Sequence, residues 1–304
     1  MTQHILLVGA TGMFGSRIAH FLLQQPDVHV RLMIRAAESG DKQDAVRAFV
    51  EAGAEVVEGD LTDQASLDRA THGIDTIISA VQGGPDVIID GQVALAQSGA
   101  RNGVSRILPS DYGLDLFEAT SGEHLMFDLR RRADEQIAAT GIQQVNVLQG
   151  AFMEMFAPGA GTFDYQAGTA TYWGDGNQII DATSVEDTAQ MVAHIAADPS
   201  VDAGKFAFAG DRISILDAAK VIEAQTGRTF QHHPLGSEAE LRVAHAQALN
   251  DTANPFSSVM LAYQLYMLTG QTNLTGLQND RYPDVKLESF ARFAQRALPH
   301  AQTA

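Results

Sequence analysis

Through its first half the chain alternates two hydrophobic patterns. Short unbroken apolar runs are each followed by a stretch in which apolar residues recur at helical spacing. The run Ile5-Leu6-Leu7-Val8 leads into Gly9-Ala10-Thr11-Gly12-Met13-Phe14-Gly15, and helical spacing then holds from Phe14 to Leu23. Further strands are predicted over Val28–Ile34, Ala54–Val57, Asp75–Ala80, Ser105–Leu108 and Gln144–Leu148. Helices are predicted between them over Asp41–Ala52, Asp63–Thr71, Pro85–Gly99 and Gly122–Thr140. Gly53 and Gly73 close two of these helices, and Val87, Ile88, Val93 and Leu95 mark the buried side of a third. Strands alternating with helices imply parallel pairing through right-handed crossovers, an α/β doubly wound sheet. Such sheets bind nucleotides at the carboxyl ends of their strands.

After Gly150 the rhythm loosens. Gly159-Ala160-Gly161 and Gly174-Asp175-Gly176 read as turns. Helices are predicted over Ser184–Ala197, with Val185, Val192 and Ile195 inward, and over Ser214–Gln225. A strand is predicted over Lys205–Phe208, and the segment Phe256–Gly270 is strongly apolar. The organisation expected is a dinucleotide-binding domain over 1–150 and a substrate-binding part over 151–304. Segments from about 180 to 225 are expected to return to the first domain's core.

The three glycines at 9, 12 and 15 carry the first chemical signal. The first permits a sharp turn, the second lets main chain approach a pyrophosphate, and the third lets helix pack on strand. The helix N-terminus then meets the anion with its N–H groups and positive dipole end. The loop from Gly9 and Thr11 through Gly12, Met13, Phe14 and Gly15 is therefore assigned to a dinucleotide. A glycine turn in another α/β fold is the plainer alternative. The second strand ends at Arg35, with Lys42 nearby, and the first acid comes only at Glu38. A cation at this tip favours the 2′-phosphate of NADP(H); a solvated loop arginine is the alternative. Asp60 and Leu61, after the third strand, suit an adenine, unless Asp60 or Thr62 simply caps the next helix. Ser79, Ala80, Val81 and Gln82, after the fourth strand, suit close passage beside the nicotinamide ribose. Ser110 and Phe152 complete the cofactor contacts.

Composition narrows the partners. The chain has 304 residues, 45% hydrophobic and 19% charged, which suits one large α/β domain or a core with an annex. A formal net charge of −17 argues against nucleic acid and anionic lipid. Cysteine is absent, which removes disulfides, thiolate metal sites and a cysteine nucleophile. The adjacent His232 and His233 would point apart, so no metal site is expected. No apolar run approaches the ~18 residues of a membrane span, and the chain enters its first strand at once. A cytoplasmic protein is expected, with a small-molecule substrate and a homodimer left open.

The chain resembles the NmrA-like and isoflavone-reductase-like branch of the atypical short-chain dehydrogenases/reductases. The residues that carry the likeness are Gly9-Ala10-Thr11-Gly12-Met13-Phe14-Gly15, Arg35, Gly59-Asp60-Leu61, Ile78-Ser79-Ala80-Val81, Pro109-Ser110-Asp111-Tyr112-Gly113 and Gly150-Ala151-Phe152-Met153-Glu154. Thr183 to Ala189 and Asp280 to Val285 add to it. The resemblance implies an extended Rossmann fold, NADP(H), and reduction of aromatic or enone-like substrates. Some members of the family instead sense the dinucleotide without turnover.

The pattern breaks at one position. The resemblance places a lysine early in the helix after strand five, and here that position is Arg130, within Leu129-Arg130-Arg131-Arg132. Lysine occurs only at 42, 205, 220 and 286. Arginine holds its proton too tightly to act as a general acid, although it can orient an oxyanion. The plainer reading is a solvated helix face paired with Asp128, Asp134 and Glu135. Tyr112 and His124 are the remaining proton donors near strand five; packing over the cofactor loop is the alternative for Tyr112, and an ordinary surface histidine that for His124. Tyr282-Pro283-Asp284-Val285-Lys286 has the Tyr-x-x-x-Lys spelling, but Pro283 breaks the helix that would align the pair. A substrate pocket is expected between Phe152, Met153, Met155 and Phe156 and the C-terminal apolar segment, with Tyr165, Tyr172 and Trp173 as its wall; plain core is the alternative. Two functions follow: an NADPH-dependent reductase acting on a carbonyl, enone or quinone-like molecule, or a non-catalytic NAD(P)-sensing regulator.

Overall fold

Strands that are apolar on both faces must be covered on both sides, and the first half of the chain solves this with helices between parallel strands. The computed structural model describes residues 2–35, 41–251 and 253–298. Its elements in chain order begin with β1 (Gln3–Val8), α1 (Gly15–Leu22), β2 (Val28–Ile34), α2 (Asp41–Glu51), β3 (Glu55–Glu58) and α3 (Gln64–Thr71). There follow β4 (Thr76–Ser79), α4 (Gln92–Arg101), β5 (Arg106–Leu108), α5 (Leu125–Ala138) and β6 (Gln143–Leu148). The second half holds β7 (Ala151–Phe152), β8 (Phe163–Asp164), β9 (Thr169–Tyr172), β10 (Ile180–Thr183), α6 (Val185–Ala197), β11 (Gly204–Ala207) and β12 (Asp211–Ile213). It ends with α7 (Ile215–Thr226), β13 (Gln231–Pro234), α8 (Glu238–Leu249), α9 (Pro255–Thr269) and α10 (Phe290–Ala297). The helix predicted from Pro85 starts as a π-turn, Asp86–Gly91, before α4.

Two units divide these elements. The first takes the chain up to Tyr112, then Leu129–Val147 and Thr188–Phe206. Its sheet has seven strands in the order β11-β6-β5-β4-β1-β2-β3. The order reverses between β1 and β4, the switch point at which doubly wound folds bind nucleotides. Both neighbours run parallel to β1, with Leu7 opposite Leu32 on one side and Ile78 on the other. Leu6, Leu7, Leu32, Ile77, Ile78, Ile107, Val145 and Val147 are fully buried, as are Ile18, Ala19 and Leu22 of α1 and Val192 and Ile195 of α6. Arg106 of β5 is buried too, and donates to the carbonyls of Ala196 and Asp198 at 2.7 and 2.6 Å. The guanidinium thus takes up carbonyls left over at a helix C-terminus.

The second unit comprises Gly113–Asp128, Leu148–Asp187 and the chain from Ala207 onward. It contains two three-stranded sheets, β12-β10-β7 and β13-β9-β8. Met153, Phe156, Phe163, Phe230, Phe290 and Phe293 form one core. Leu114, Leu116, Phe127, Ala262 and Tyr266 form another. Ser214 caps α7, and Ser237 with Glu240 forms a capping box on α8. The short strands β7 to β10, β12 and β13 were not predicted, because two to four residues give too little length to show a period. Among the described residues no helix is long and apolar enough to cross a membrane.

Two glycines of the first unit have no room for a side chain. A Cβ on Gly9 would lie 2.3 Å from the Ala80 carbonyl oxygen, and one on Gly15 would lie 2.1 Å from the Gly9 oxygen. Gly9 also has φ +92°. Gly53 shares the positive φ, at +102°, but is open on all sides. Gly53→Ala is therefore expected to cost only the left-handed backbone penalty, about 1–2 kcal/mol. Gly9→Ala is expected to add roughly 1–3 kcal/mol of overpacking to that penalty. Urea unfolding of the two variants checks the order; equal losses would contradict the close approach of β1 and β4.

Candidate active site

The switch point of the first unit is built from main chain. Gly12 donates its N–H to the Gly9 carbonyl at 3.0 Å, and Ala80 donates to Val8 at 2.9 Å. Gly12 and Met13 face solvent. Phe14 precedes the first turn of α1 without a capping side chain, and that turn has no acid of its own. The positive dipole end of α1 therefore has no acidic side chain of its own, while Ser16 and Arg17 donate their N–H groups to the carbonyls of Gly12 and Phe14 at 3.0 and 3.1 Å. Thr11 and Phe14 lie within the same loop, and the Phe14 ring meets Tyr112 edge-on at 4.7 Å.

Arg35 is exposed at the end of β2 and Lys42 is exposed on α2. The Asp60 carboxylate is held below its ordinary range, first by the hydroxyl of Thr62, then by the Thr62 N–H, with the Arg35 charge a smaller cause. The two bonds measure 2.6 and 2.9 Å. Neither Asp60 nor Thr62 caps α3; Asp63 does, accepting the N–H of Ala65. Asp60 instead closes a local Asx turn. Leu61 packs toward Gly91, where a Cβ would come within 3.0 Å of it.

The loops after β4 and β5 are tied together. Ser79 is fully buried, Ala80 presses its carbonyl on Gly9, and Gln82 is exposed. The Ser110 hydroxyl donates to the Val81 carbonyl at 2.7 Å, and the Ser110 N–H donates to Gln92 Oε1 at 2.9 Å. Gln92 is fully buried, and its Nε2 donates to Ile88 at 2.9 Å within the π-turn. Gln92 is a site residue without a motif in the sequence. The available signal was an amide between Ile89 and Val93 on an otherwise apolar helix face.

Beyond Ser110 lie ionisable groups. The Tyr112 hydroxyl is enclosed and has no hydrogen-bond partner among the described residues. Burial first, and the Asp111 charge second, raise its pKa well above that of a free phenol, so Tyr112 keeps its proton. Asp111 and Asp134 are buried and face each other, with Asn146 donating to Asp111 at 2.7 Å. Arg130 is half-buried, with Nε and Nη1 enclosed. The solvated face considered for the three arginines is therefore corrected: Arg132 is exposed, but Arg130 and Asp134 turn inward. Asp134, expected as a solvated partner of the arginines, is buried instead, and Asn146 is a missed residue whose signal was an amide in the apolar run 144–148.

His124 and Phe152 belong to the second unit. His124 is fully buried, which corrects the surface-histidine alternative. Its ring stacks on Phe127 at 3.8 Å and meets Tyr263 edge-on at 4.4 Å. Nδ1 accepts the Phe127 N–H at 3.2 Å, so the ring both caps the start of α5 and carries its proton on Nε2. Phe152 is part-exposed on β7, opposite Thr183 of β10.

An open cleft lies within the second unit. Met155, Tyr172 and Trp173 line it with Met267 and Leu268 of α9, and Trp173 donates Nε1–H to Gln264 at 3.1 Å. The expected wall is thus partly corrected. Met153 and Phe156 are fully buried core, and Tyr165 packs on Phe230 with its hydroxyl on the Phe156 carbonyl at 2.8 Å. Among the described residues no cluster of three histidines or acids is placed to hold a metal ion.

A sequence model described as the NmrA-like family matches residues 1–262. Phenylcoumaran benzylic ether reductase PT1 of Pinus taeda is 25% identical over 301 residues, covering 93% of this chain and 95% of that protein. The solved structure of AtPrR2 with NADP+ and (+)pinoresinol superposes with a TM-score of 0.81 at 21% identity, covering 97% of this chain and 98% of the other. A crystal structure of isoflavone reductase gives 0.82 at 20% identity, covering 97% and 99%.

Replacing Gln92 by Leu removes the acceptor for the buried Ser110 N–H while keeping bulk. An unsatisfied buried donor costs about 1–3 kcal/mol, and that loss of stability is expected in urea. Ser110→Ala, which leaves only the Val81 carbonyl without its hydroxyl, is expected to lose less; the reverse order would contradict the role given to Gln92.

Proposed function

The chain belongs to the NmrA-like family, and from that premise we propose that it is an NADPH-dependent reductase acting on a carbonyl, enone or quinone-like carbon of an aromatic or apolar small molecule. The observation that carries this reading is the bare main-chain cradle at Gly9–Gly15, set at the switch point of the sheet and opening an uncapped helix. Those residues fit a pyrophosphate, since a side chain at 9 or 15 has no space and Gly12 and Met13 are open to solvent. Arg35 supplies a charge for the 2′-phosphate of NADPH, with Lys42 as a second cation. Asp60 and Leu61 would flank the adenine, and Ser79, Ala80, Val81, Gln82, Ser110 and Phe152 the nicotinamide half. NADPH, when bound, supplies the hydride.

The residues of this chain must then place the substrate and deliver a proton. Arg130, a guanidinium and not a general acid, orients a developing oxyanion. Tyr112 keeps its hydroxyl proton, so it donates a hydrogen bond rather than titrating. His124, with its proton on Nε2, is the third candidate donor. The cleft of Met155, Tyr172, Trp173, Met267 and Leu268 suits a flat, mainly apolar ligand, with Thr162, Thr171, Gln178 and Gln264 as polar groups in its lining. The relatives named as reductases of a benzylic ether, of pinoresinol and of isoflavone support substrates of aromatic character. A second reading, a dinucleotide-sensing regulator, is favoured by one observation. The lysine that the family resemblance expects is replaced by Arg130, and no lysine stands between Lys42 and Lys205.

A turnover assay separates the two. With NADPH and a panel of quinones, enones and aryl ketones, the reductase reading expects loss of NADPH absorbance with at least one class. Tight NADPH binding with no oxidation across the panel would favour the sensor. Arg35→Glu is expected to weaken NADPH binding by roughly 10–100-fold, as the loss of a charge-assisted phosphate contact would, while NADH binding changes little. Calorimetric titration with both dinucleotides checks this, and equal losses would remove the case for NADP(H).

A further inference from the structure

Two acids of the first unit lie under the loop that carries Ser110 and Tyr112. Asp111, in that loop, is 1% exposed, and Asp134, on α5, is 5% exposed. Asn146 of β6 donates Nδ2–H to Asp111 Oδ2 at 2.7 Å. The two carboxyl groups face each other within hydrogen-bonding reach. Yet Asp111 Oδ1 and both oxygens of Asp134 are enclosed and accept nothing from an N–H or hydroxyl of the described residues. Arg130 precedes Asp134 by one turn of the same helix, and its enclosed Nε and Nη1 donate to none of these oxygens.

Two ionised carboxylates cannot face each other out of water without a large repulsion. A single proton between them removes the repulsion and supplies the missing donor. The surroundings decide which acid holds it. Burial raises Asp111 too, but the Arg130 charge, the Asn146 bond at 2.7 Å and a bond from Asp134 all favour its ionised form. Asp134 is pushed upward, first by burial and then by the charge and hydrogen bond of Asp111, which outweigh the nearby Asn146 amide and the Arg130 charge. We propose that Asp134 is a positioning residue of this site: it is held as the neutral acid and donates a hydrogen bond to Asp111. The loop bearing Ser110 and Tyr112 is thereby anchored to α5 through a shared proton, and the two acids with Arg130 carry no net charge. The inference rests on the reductase reading only in taking this loop to border bound NADPH. The shared proton stands on the geometry alone.

The groups facing the pair are Arg130 from α5, the neutral amide of Asn146 from β6, and Tyr112 beside Asp111, which keeps its own proton. The sign of the pH effect follows. Asp134 takes up a proton on folding, so its contribution is fully present at acid pH. That contribution falls as pH rises above the ordinary aspartate value, until the folded pair itself loses the proton. Over that window the folding constant of the natural chain is expected to drop, relative to Asp134→Asn, by about tenfold per pH unit. The asparagine amide can still donate to Asp111, so its stability at neutral pH is expected to match or exceed that of the natural chain. Its NADPH affinity is expected to stay flat on the alkaline side, where that of the natural chain weakens. Parallel stability curves would overturn the proposal.

A carboxyl-carbon NMR titration of aspartate-labelled natural protein decides the matter even if the variant fails to fold. One aspartate protonated through neutral pH, and perturbed by Asp111→Asn, is the expected result. If every aspartate titrates in the ordinary range, Asp134 is ionised and the idea is wrong. Neither NMR outcome depends on turnover, so failure of the reductase reading would be seen separately, as absent NADPH binding or oxidation.

Discussion

At Gly9 and Ala80 two parallel strands leave the sheet with main chain against main chain, and one added carbon would collide. Much of the first unit's chemistry hangs on that approach. Because β1 and β4 end together, the loop after β1 is pulled onto the sheet edge, and Gly15 lets α1 start directly on top of Gly9. The helix begins with neither a cap nor an acid. In an isolated helix this would be a defect of roughly 1 kcal/mol. Here it leaves the positive dipole end of α1 at the switch point without an acid of its own.

The same edge shows how the unit handles polar groups beneath an apolar sheet. Ser110 spends its N–H on Gln92 and its hydroxyl on Val81, so one residue couples a helix to two loops. Arg106 meets carbonyls at the end of α6. Among the described residues the acids below Ser110 lack donors for three of their four oxygens, and the arginine beside them does not remedy it with Nε or Nη1. A buried ion pair would have offered weak stabilisation against its desolvation cost. A neutral acid bonded to an ionised one avoids much of that cost and still fixes direction.

In the second unit the aromatic residues after Gly150 are sorted by strand pairing. Tyr172 reaches the cleft at the end of a strand that β13 covers on one edge and β8 on the other. Phe156 and Phe163 fall inward onto Phe290 and Phe230. The segment is one run of aromatics and methionines in sequence, yet part of it is core and part is wall. Single apolar residues at such positions differ only in which face is presented by their short strands or, at Met153–Phe156, by a single 3₁₀ turn.

The amino-acid order alone determined the strand–helix alternation, the glycine turn, the cation at the end of β2 and the family. Each of these is a local demand: a period, a φ above zero, a residue type within a few positions of its neighbour. Tertiary structure decided the rest. His124 is placed in the ring stack of Phe127 and Tyr263 by α9, far along the chain. Asp111 and Asp134 read as a loop acid and a solvated helix acid until β5, α5 and β6 bring them together. Met153 and Met155 are alike in sequence, and only the packing of α10 and α9 makes one core and the other cleft. Burial and pairing across distant segments are properties of the closed chain, and a linear pattern carries the period of a face but not the identity of what covers it.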